Sequence, residues 1–569
     1  MMSGIQFDEE FDFISVGSGG GSMVAGLVMR AMDKSVIVLE KMPRIGGTTS
    51  RSGGVMWIPN SHFMKQDNVE DSYEKSMAYM EATAGQSVDA PGTTKERRSA
   101  YVTEGPRMVE FLVKNGIKLQ RIASWPDYYD DRPGGSVPGR TIIADLFDTN
   151  QLGEWRDKLE PNFMVIPAYH YEGFKIGLMK SSIEGRLAML KVGLRIVMAK
   201  LTGKRWATAG GALQGRMLQA SLKAGVDLRV NSGVTSFVQD ETGAVRGVVT
   251  QKDGKPWRIG ARLGVLVNAG GFSHNQAMRE KYQPGTSVKW TATPAGNTGE
   301  MILEMEKLGA QLAQMDEMVG NQMSIPPGQE NQGNGVNLSA VGGQMNLTKP
   351  HSIVVDQSGV RYMNESGSYM EFCQNMLARN KTVPAIPSWW IVDEKHMQKY
   401  MYTGTMAGSK KPQEWYDSGF LNRADSIEGL ASQIGVDPAA LKSTVERFNA
   451  DAKTGKDTQF GRGNRAYDNW LGDFYREDGS HTLGPIEQGP FYAAPMVPGD
   501  VGTYGGVVTD VNARVLRADG SVIEGLYATG ISTASVMGRI YPGAGSSVGP
   551  SFVFGYVAAK HAAGAGNAL

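Results

Sequence analysis

Hydrophobic residues cluster in short continuous runs, each closed by glycine. From Phe11 to Lys41 the chain reads FDFISVGSGGGSMVAGLVMRAMDKSVIVLEK. The first apolar run predicts a buried strand, and a glycine turn follows it. The next apolar stretch, from about Gly21 to Met32, predicts a helix, and SVIVLE predicts a second strand ending at Glu40. Continuous rather than alternating apolar runs mark parallel strands covered on both faces. The same strand-then-glycine pattern recurs at LGVLVNAGGF (Leu263 to Phe272) and EGLYATGISTASVMG (Glu524 to Gly538). One region changes period. Ile183, Leu187, Leu190, Leu194, Val197, Met198 and Leu201 fall at the spacing of a helix face, and Met189, Val192 and Ile196 make its other side apolar too.

Composition narrows the class. The 569 residues exceed what one core holds, so two or more domains are expected. Lys plus Arg and Asp plus Glu are both 58. That balance argues against a nucleic-acid partner held by bulk charge. A single cysteine, Cys373, excludes a disulfide framework and a cysteine-rich metal site. None of the seven histidines lies at metal-ligand spacing, so no metal and no catalytic histidine are expected. The acidic N-terminal stretch MMSGIQFDEEFDF carries no signal-peptide pattern, and no apolar run reaches about 18 residues. The expected location is the cytoplasm.

The 73 glycines fall in turns between apolar runs, where backbone approaches a cofactor. Strand, turn, helix and strand from Phe11 to Glu40 form the context a dinucleotide fingerprint requires. Gly17 permits the tight turn, and Gly19 lets the backbone approach a pyrophosphate. Gly20, Gly21 and Ser22 open the helix, whose free N–H groups and dipole favour that anion. Ser22 stands where a third glycine is usual and is small enough to pack closely. Glu40 lies 23 residues after Gly17, where a carboxylate accepts from ribose hydroxyls. After Lys41, a second glycine turn (Gly46, Gly47) leads into Thr48, Thr49, Ser50, Gly53 and Gly54. NAD does not need that turn; an extended FAD, bound non-covalently, does. Ala269, Gly270 and Gly271 in the middle and Gly530, Ser547 and Val548 near the end complete the candidate contacts, with Val234. Both chain ends and the middle therefore build one site. The arrangement resembles the two-dinucleotide-fold flavoproteins of the fumarate reductase/succinate dehydrogenase type.

Several segments together carry a narrower resemblance that covers nearly the whole chain. They are VGSGGGS, EKMPRIGGTTSRSGG, PDYYDDRPGG, RYMNESGSY, GPFYAAPMVPGDVGTYGGVVTDVNARVLRADGSVIEGLYATG and GRIYPGAGSSVG. The sequence resembles the 3-ketosteroid Δ1-dehydrogenases. The resemblance implies insertion of a C1–C2 double bond into the A ring of a 3-ketosteroid, with FAD as hydride acceptor and an external electron acceptor beyond it. It implies that Tyr541 and the Gly545 N–H hydrogen-bond the C3 ketone, that Tyr369 takes the C2 proton, and that Tyr128 helps ionise Tyr369. Two departures stand out: Ser368 where the family usually has proline, and Ala544 where it often reads YPGPG. The chemistry agrees from below. Two donors on a ketone stabilise the developing enolate, and a tyrosine base needs a donor to lower its pKa from near 10. Arg539 is read as fixing its turn, and RYMNE as a turn positioning the strand that bears Tyr369. The rival readings are a fumarate-reductase-like reductase of activated double bonds, a 3-ketosteroid Δ4-dehydrogenase, and an FAD-bearing membrane- or partner-binding protein.

The expected fold class is α/β. A two-dinucleotide-fold (Rossmann-like) FAD domain (1–317 and 485–569) carries a helical excursion (61–210) and an inserted α/β catalytic domain (318–484). Residues 168–206 form an insertion. Between Tyr171 and Trp206 stand eight Lys/Arg and two Glu. A basic, strongly apolar helix in a neutral protein suggests peripheral contact with anionic lipid on the cytoplasmic membrane face, and a sterol bearing a C17 side chain as substrate. Packing on the core or between subunits is the alternative.

Overall fold

The computed structural model describes residues 5–332, 343–477 and 480–566. The first four residues of the acidic N-terminal stretch lie outside them. The fingerprint forms as the apolar pattern requires. Strand Glu9–Val16 leads through the glycine turn into helix Gly20–Ala31, and strand Val36–Leu39 follows. Glu9–Val16 pairs in parallel with Val36–Leu39 on one side and Lys255–Val267 on the other. Val522–Ala528 adds in parallel beyond Lys255–Val267, and Asp227–Arg229 beyond Val36–Leu39. The result is an eight-stranded, mainly parallel sheet whose inner strands are buried on both faces. Helix Gly20–Ala31 packs on the C-terminal helix Val548–Ala562. Gly20 and Gly21 make that approach possible: a Cβ at Gly20 would strike the Phe552 ring and one at Gly21 the Ser551 carbonyl.

A second sheet of five strands forms the cap. Its longest member, Phe491–Thr503, pairs antiparallel with Met318–Met323, Ser388–Asp393 and Asn422–Ala424. The expected boundary at residue 485 is therefore displaced. The Phe491–Thr503 strand belongs to the cap, and the chain returns to the FAD domain after it. Nothing in that strand's composition separates one sheet from the other; only its pairing does. Helix Pro438–Thr454 ends at Gly455 in a left-handed cap, as read. The excursion holds a three-stranded sheet (Val55–Trp57, Leu119–Arg121, Thr141–Ala144) besides its helices. A second correction concerns Tyr369. It opens helix Tyr369–Arg379 rather than lying on a strand, because the stretch after it is free of glycine and proline and carries the helix formers Met370, Glu371, Gln374, Met376, Leu377 and Ala378.

The insertion is a helical hairpin, His170–Gly177 and Ile183–Thr202. The pairing of Phe147–Asp148 with Trp206–Ala207 closes its base. Ala188 and Val192 point inward, and Arg195 pairs with Glu172 across the two helices. The periodic stripe points the other way: Ile183 is 72% exposed, Leu190 59% and Leu201 76%. Among the described residues no helix is long and apolar enough to cross a membrane.

Candidate active site

One continuous cavity of about 680 Å³ runs from the glycine turns of the large sheet to the cap. Gly17, Gly19, Glu40, Lys41, Gly47, Thr48, Thr49 and Gly53 line it, as do Val234, Ala269, Gly270, Gly530, Ser547 and Val548. The other candidates sit one layer behind. Gly21 and Ser22 donate their N–H groups to Ser551 Oγ and Asn268 Oδ1. Gly20, Gly46, Gly54 and Gly271 permit close packing, and Ser50 Oγ donates to the Glu160 carbonyl. At Gly17 (φ +87°) a Cβ would meet the Asn268 carbonyl at 2.4 Å, so strand and turn touch only through glycine. At Gly47 and Gly53 nothing lies within 4 Å, because both face the open cavity. Glu40 accepts from Ser18 Oγ at 2.6 Å and from the Met42 N–H at 2.9 Å. Burial pushes its pKa up while these donors hold it down. A buried carboxylate, flat glycine walls and hydroxyls on one long groove suit an extended dinucleotide. Asn268 escaped sequence reasoning. It ties the first fingerprint to Thr529 and Ser551, and its only signal was its place before AGG.

Three tyrosines from three segments meet on the same cavity. Ring centroids of Tyr369 and Tyr541 are 5.1 Å apart, Tyr128 and Tyr369 5.7 Å, and Tyr128 and Tyr541 6.0 Å. Local structure explains each position. The loop Tyr541–Ser547 is clamped from the excursion: the Tyr128 N–H and the Tyr79 hydroxyl both donate to the Pro542 carbonyl, at 2.9 and 2.6 Å. Thr141 Oγ1 donates to the Ala544 carbonyl at 3.0 Å. Gly545 has φ +93°, and a Cβ there would lie 2.3 Å from the Val55 carbonyl oxygen. Asp127 secures the turn before Tyr128. It accepts from Trp57 Nε1 and Arg140, each at 2.7 Å, and burial pushes it up to about 6. Upstream of Tyr369, Glu365 accepts from Arg361 and Arg462 inside the cap. Gln374 on the Tyr369 helix donates to the Arg539 carbonyl at 3.0 Å. Arg539 itself bridges Asp316 and Glu317, the turn-fixing role read for it.

The Tyr541 hydroxyl lies 2.9 Å from Ser547 Oγ and accepts the Ser547 N–H at 3.2 Å. Burial raises the Tyr541 pKa, with Ser547 opposing. Tyr369 differs from expectation. Burial pushes its hydroxyl well above the ordinary value, and neighbouring Tyr128 and Tyr541 push it further. An apolar enclosure disfavours the phenolate more than one phenol donor stabilises it. Beyond Tyr128 the wall is aromatic. Tyr467 stacks near Tyr128, and Trp470, Trp125, His170 and Phe174 follow. Single aromatic residues of this kind carry no motif.

The fold and site define a flavoprotein. The chain matches the family FAD binding domain over residues 12–548, and its cofactor is FAD. It is 38% identical over 575 residues to 3-oxosteroid 1-dehydrogenase of Mycobacterium tuberculosis, covering 98% of each chain. It is 31% identical to 4-oxocyclohexanecarboxylate 2-dehydrogenase of Sinomonas cyclohexanicum, covering 97% of this chain and 93% of that one. The crystal structure of 3-ketosteroid Δ1-dehydrogenase from Sterolibacterium denitrificans, in complex with 1,4-androstadiene-3,17-dione, superposes with a TM-score of 0.90. It shares 34% identity, with 98% of this chain and 100% of that chain covered. The chain belongs to the 3-oxosteroid 1-dehydrogenase family.

Proposed function

We propose that this protein desaturates the C1–C2 bond of 3-keto-4-ene steroids to the 1,4-diene. The observation that carries the reading is the convergence of Tyr128, Tyr369 and Tyr541 on the cavity that the dinucleotide turns also line. Glu40 holds the ribose hydroxyls. Gly17, Gly19 and the helix opening at Gly20 would hold the pyrophosphate of FAD. The turn from Gly46 to Gly54, Val234, the Ala269–Gly271 turn, Gly530, Ser547 and Val548 surround the remainder. FAD bound there supplies the acceptor for the hydride leaving C1.

The chain's own residues do the rest. Tyr541 exchanges its contact with Ser547 for the C3 carbonyl and donates to it. The Gly545 N–H donates to the same oxygen, and two preorganised donors stabilise the enolate as it forms. Tyr369 receives the C2 proton, and Tyr128 donates to Tyr369 as its charge develops. Because burial holds Tyr369 in the phenol form, its ionisation is coupled to steroid binding. The apolar cavity excludes water from the reacting carbons.

The outward face of helix Ile183–Thr202 rests on a membrane. Exposed Ile183, Leu187, Leu190, Leu194 and Leu201 form one apolar stripe, larger than solvent alone tolerates. Arg186, Lys191 and Lys200 flank it, placed to meet anionic headgroups. Helix His170–Gly177, packed beneath, supplies wall to the cavity through His170, Gly173, Phe174 and Ile176. A steroid with a C17 side chain thus passes from lipid to the tyrosines along a short apolar path, and an electron acceptor dissolved in the bilayer has the same access. Flotation with vesicles containing anionic phospholipid tests this. The wild-type protein floats with the vesicles; a protein that stays at the bottom and is dimeric through this face would overturn it.

A further inference from the structure

Among the charged side chains that line the cavity, Lys349 lies in the cap and takes no part in the proposed reaction. It is buried. Its ammonium donates to the carbonyls of Leu471 and Gly472, the latter at 2.9 Å. Three donors and two carbonyl partners leave one hydrogen over. Among the described residues no carboxylate forms an ion pair with it, and Asp473 acts on it only through space. Burial pushes its pKa down to about 8, with the nearby Asp473 opposing, so at neutral pH the ammonium is mostly charged. A buried ammonium with no direct ion pair and one hydrogen left over is costly and favours a further acceptor.

Its place in the cavity says which partner. Leu471 and Gly472 directly follow Trp470, whose indole stacks on Trp125 at 4.6 Å. Trp125 in turn stacks on His170 at 4.7 Å. His170 also lines the cavity, and its buried Nδ1 has no partner among the described residues. Burial keeps His170 neutral, with its pKa pushed down to about 3. Tyr541 reaches this wall only through Tyr128 and then Tyr467. At the same end lie Val165, 87% exposed, and half-exposed Met406, which mark the mouth. A steroid with its C3 oxygen at Tyr541 therefore points C17 toward Lys349 and His170.

We propose that Lys349, with His170 beside it, binds a carboxylate at the end of the substrate's C17 side chain, so that the preferred substrates are 3-keto-4-ene steroid acids rather than hydrocarbon-tailed sterols. This rests on the Δ1-dehydrogenase reading above. The carboxylate accepts the remaining ammonium hydrogen in a direct ion pair, and the side chain's methylenes lie along Trp125, Phe174 and Trp470.

The test uses wild-type holoenzyme and two substrates that differ only in charge: 3-oxochol-4-en-24-oic acid and its methyl ester. Flavin reduction is followed anaerobically over a range of each steroid. The acid is expected to show a kcat/KM at least about tenfold above the ester, the worth of one charge-assisted hydrogen bond. Lys349→Gln is expected to bring the two substrates together, chiefly through KM for the acid. Equal kcat/KM for acid and ester in the wild type overturns the inference while leaving Δ1-dehydrogenation standing. An acid preference that survives in Lys349→Gln overturns the assignment to Lys349. Reduction by neither steroid overturns the reaction itself, and the inference with it.

Discussion

The tyrosine site and the insertion helix are both rich in apolar side chains, yet they turn them in opposite senses. Around Tyr541 every element turns inward: Gly545 admits no Cβ, Pro542 receives two donors, and Tyr128 and Tyr541 are almost wholly enclosed. On helix Ile183–Thr202 Ala188, Val192 and the half-buried Ile196 turn in, while the leucines face out. The first region is rigid because its backbone bonds are saturated by neighbours from distant segments. The second is an exposed apolar face on a hairpin held by Arg195–Glu172 and a small satellite core. In the proposed function this difference separates reaction from access, with chemistry in the tyrosine cavity and delivery at its rim.

Changes at the two regions should therefore fail in different assays. The largest effect falls on Tyr369→Phe, expected to lower kcat by about 10²–10⁴-fold, the range for loss of a positioned proton acceptor. Rapid-mixing flavin reduction checks it, with the flavin spectrum confirming retained FAD. Tyr541→Phe behaves alike, losing turnover while keeping its yellow colour. Next comes Gly545→Ala. The new Cβ collides with the Val55 carbonyl and the residue keeps a left-handed φ, so thermal unfolding should show a loss of about 1–3 kcal/mol along with reduced turnover. The double variant Leu190→Glu/Leu194→Glu should leave turnover of a soluble steroid intact and weaken vesicle binding by at least roughly tenfold; unchanged flotation would detach the helix from delivery. The pH profile gives a gentler effect. Tyr369 is raised, hence protonated at neutral pH. If the phenolate is the acceptor, kcat rises with pH through the neutral and alkaline range, by at most about tenfold per unit. A flat profile would mean that the proton acceptor does not form by ionisation of the free Tyr369 phenol. The smallest change is expected for Ser547→Ala, which removes one hydroxyl contact from Tyr541 and shifts KM by a few-fold.

Legibility followed the same division. The fingerprint from Glu9 to Leu39, the Glu40 carboxylate and the glycine turns could be read because each is local: strand, turn and helix signals lie within a few residues of one another. Tyr128, Tyr369 and Tyr541 were reachable only through flanking segments of specific sequence, since a tyrosine by itself signals nothing. The helix at Ile183 was visible in its period, but the period gives a face and not its direction; only packing on His170–Gly177 shows which side is free. Asn268, Lys349, His170 and Trp470 stayed hidden. They come from separate elements and acquire meaning only in the fold: His170 and Trp470 meet through Trp125, which stacks on both. The strand Phe491–Thr503 was misassigned for a related reason: its apolar pattern fits either sheet, and its pairing with Ser388–Asp393 decides.

The central claim is that the three tyrosines and the bound flavin desaturate a 3-ketosteroid A ring. The most direct measurement mixes the purified yellow protein anaerobically with androst-4-ene-3,17-dione, follows the flavin absorbance, and identifies the product by mass and ultraviolet spectrum. The account predicts bleaching together with a 1,4-dien-3-one lighter by two hydrogens. A flavin that stays oxidised, with the steroid recovered unchanged, would contradict it.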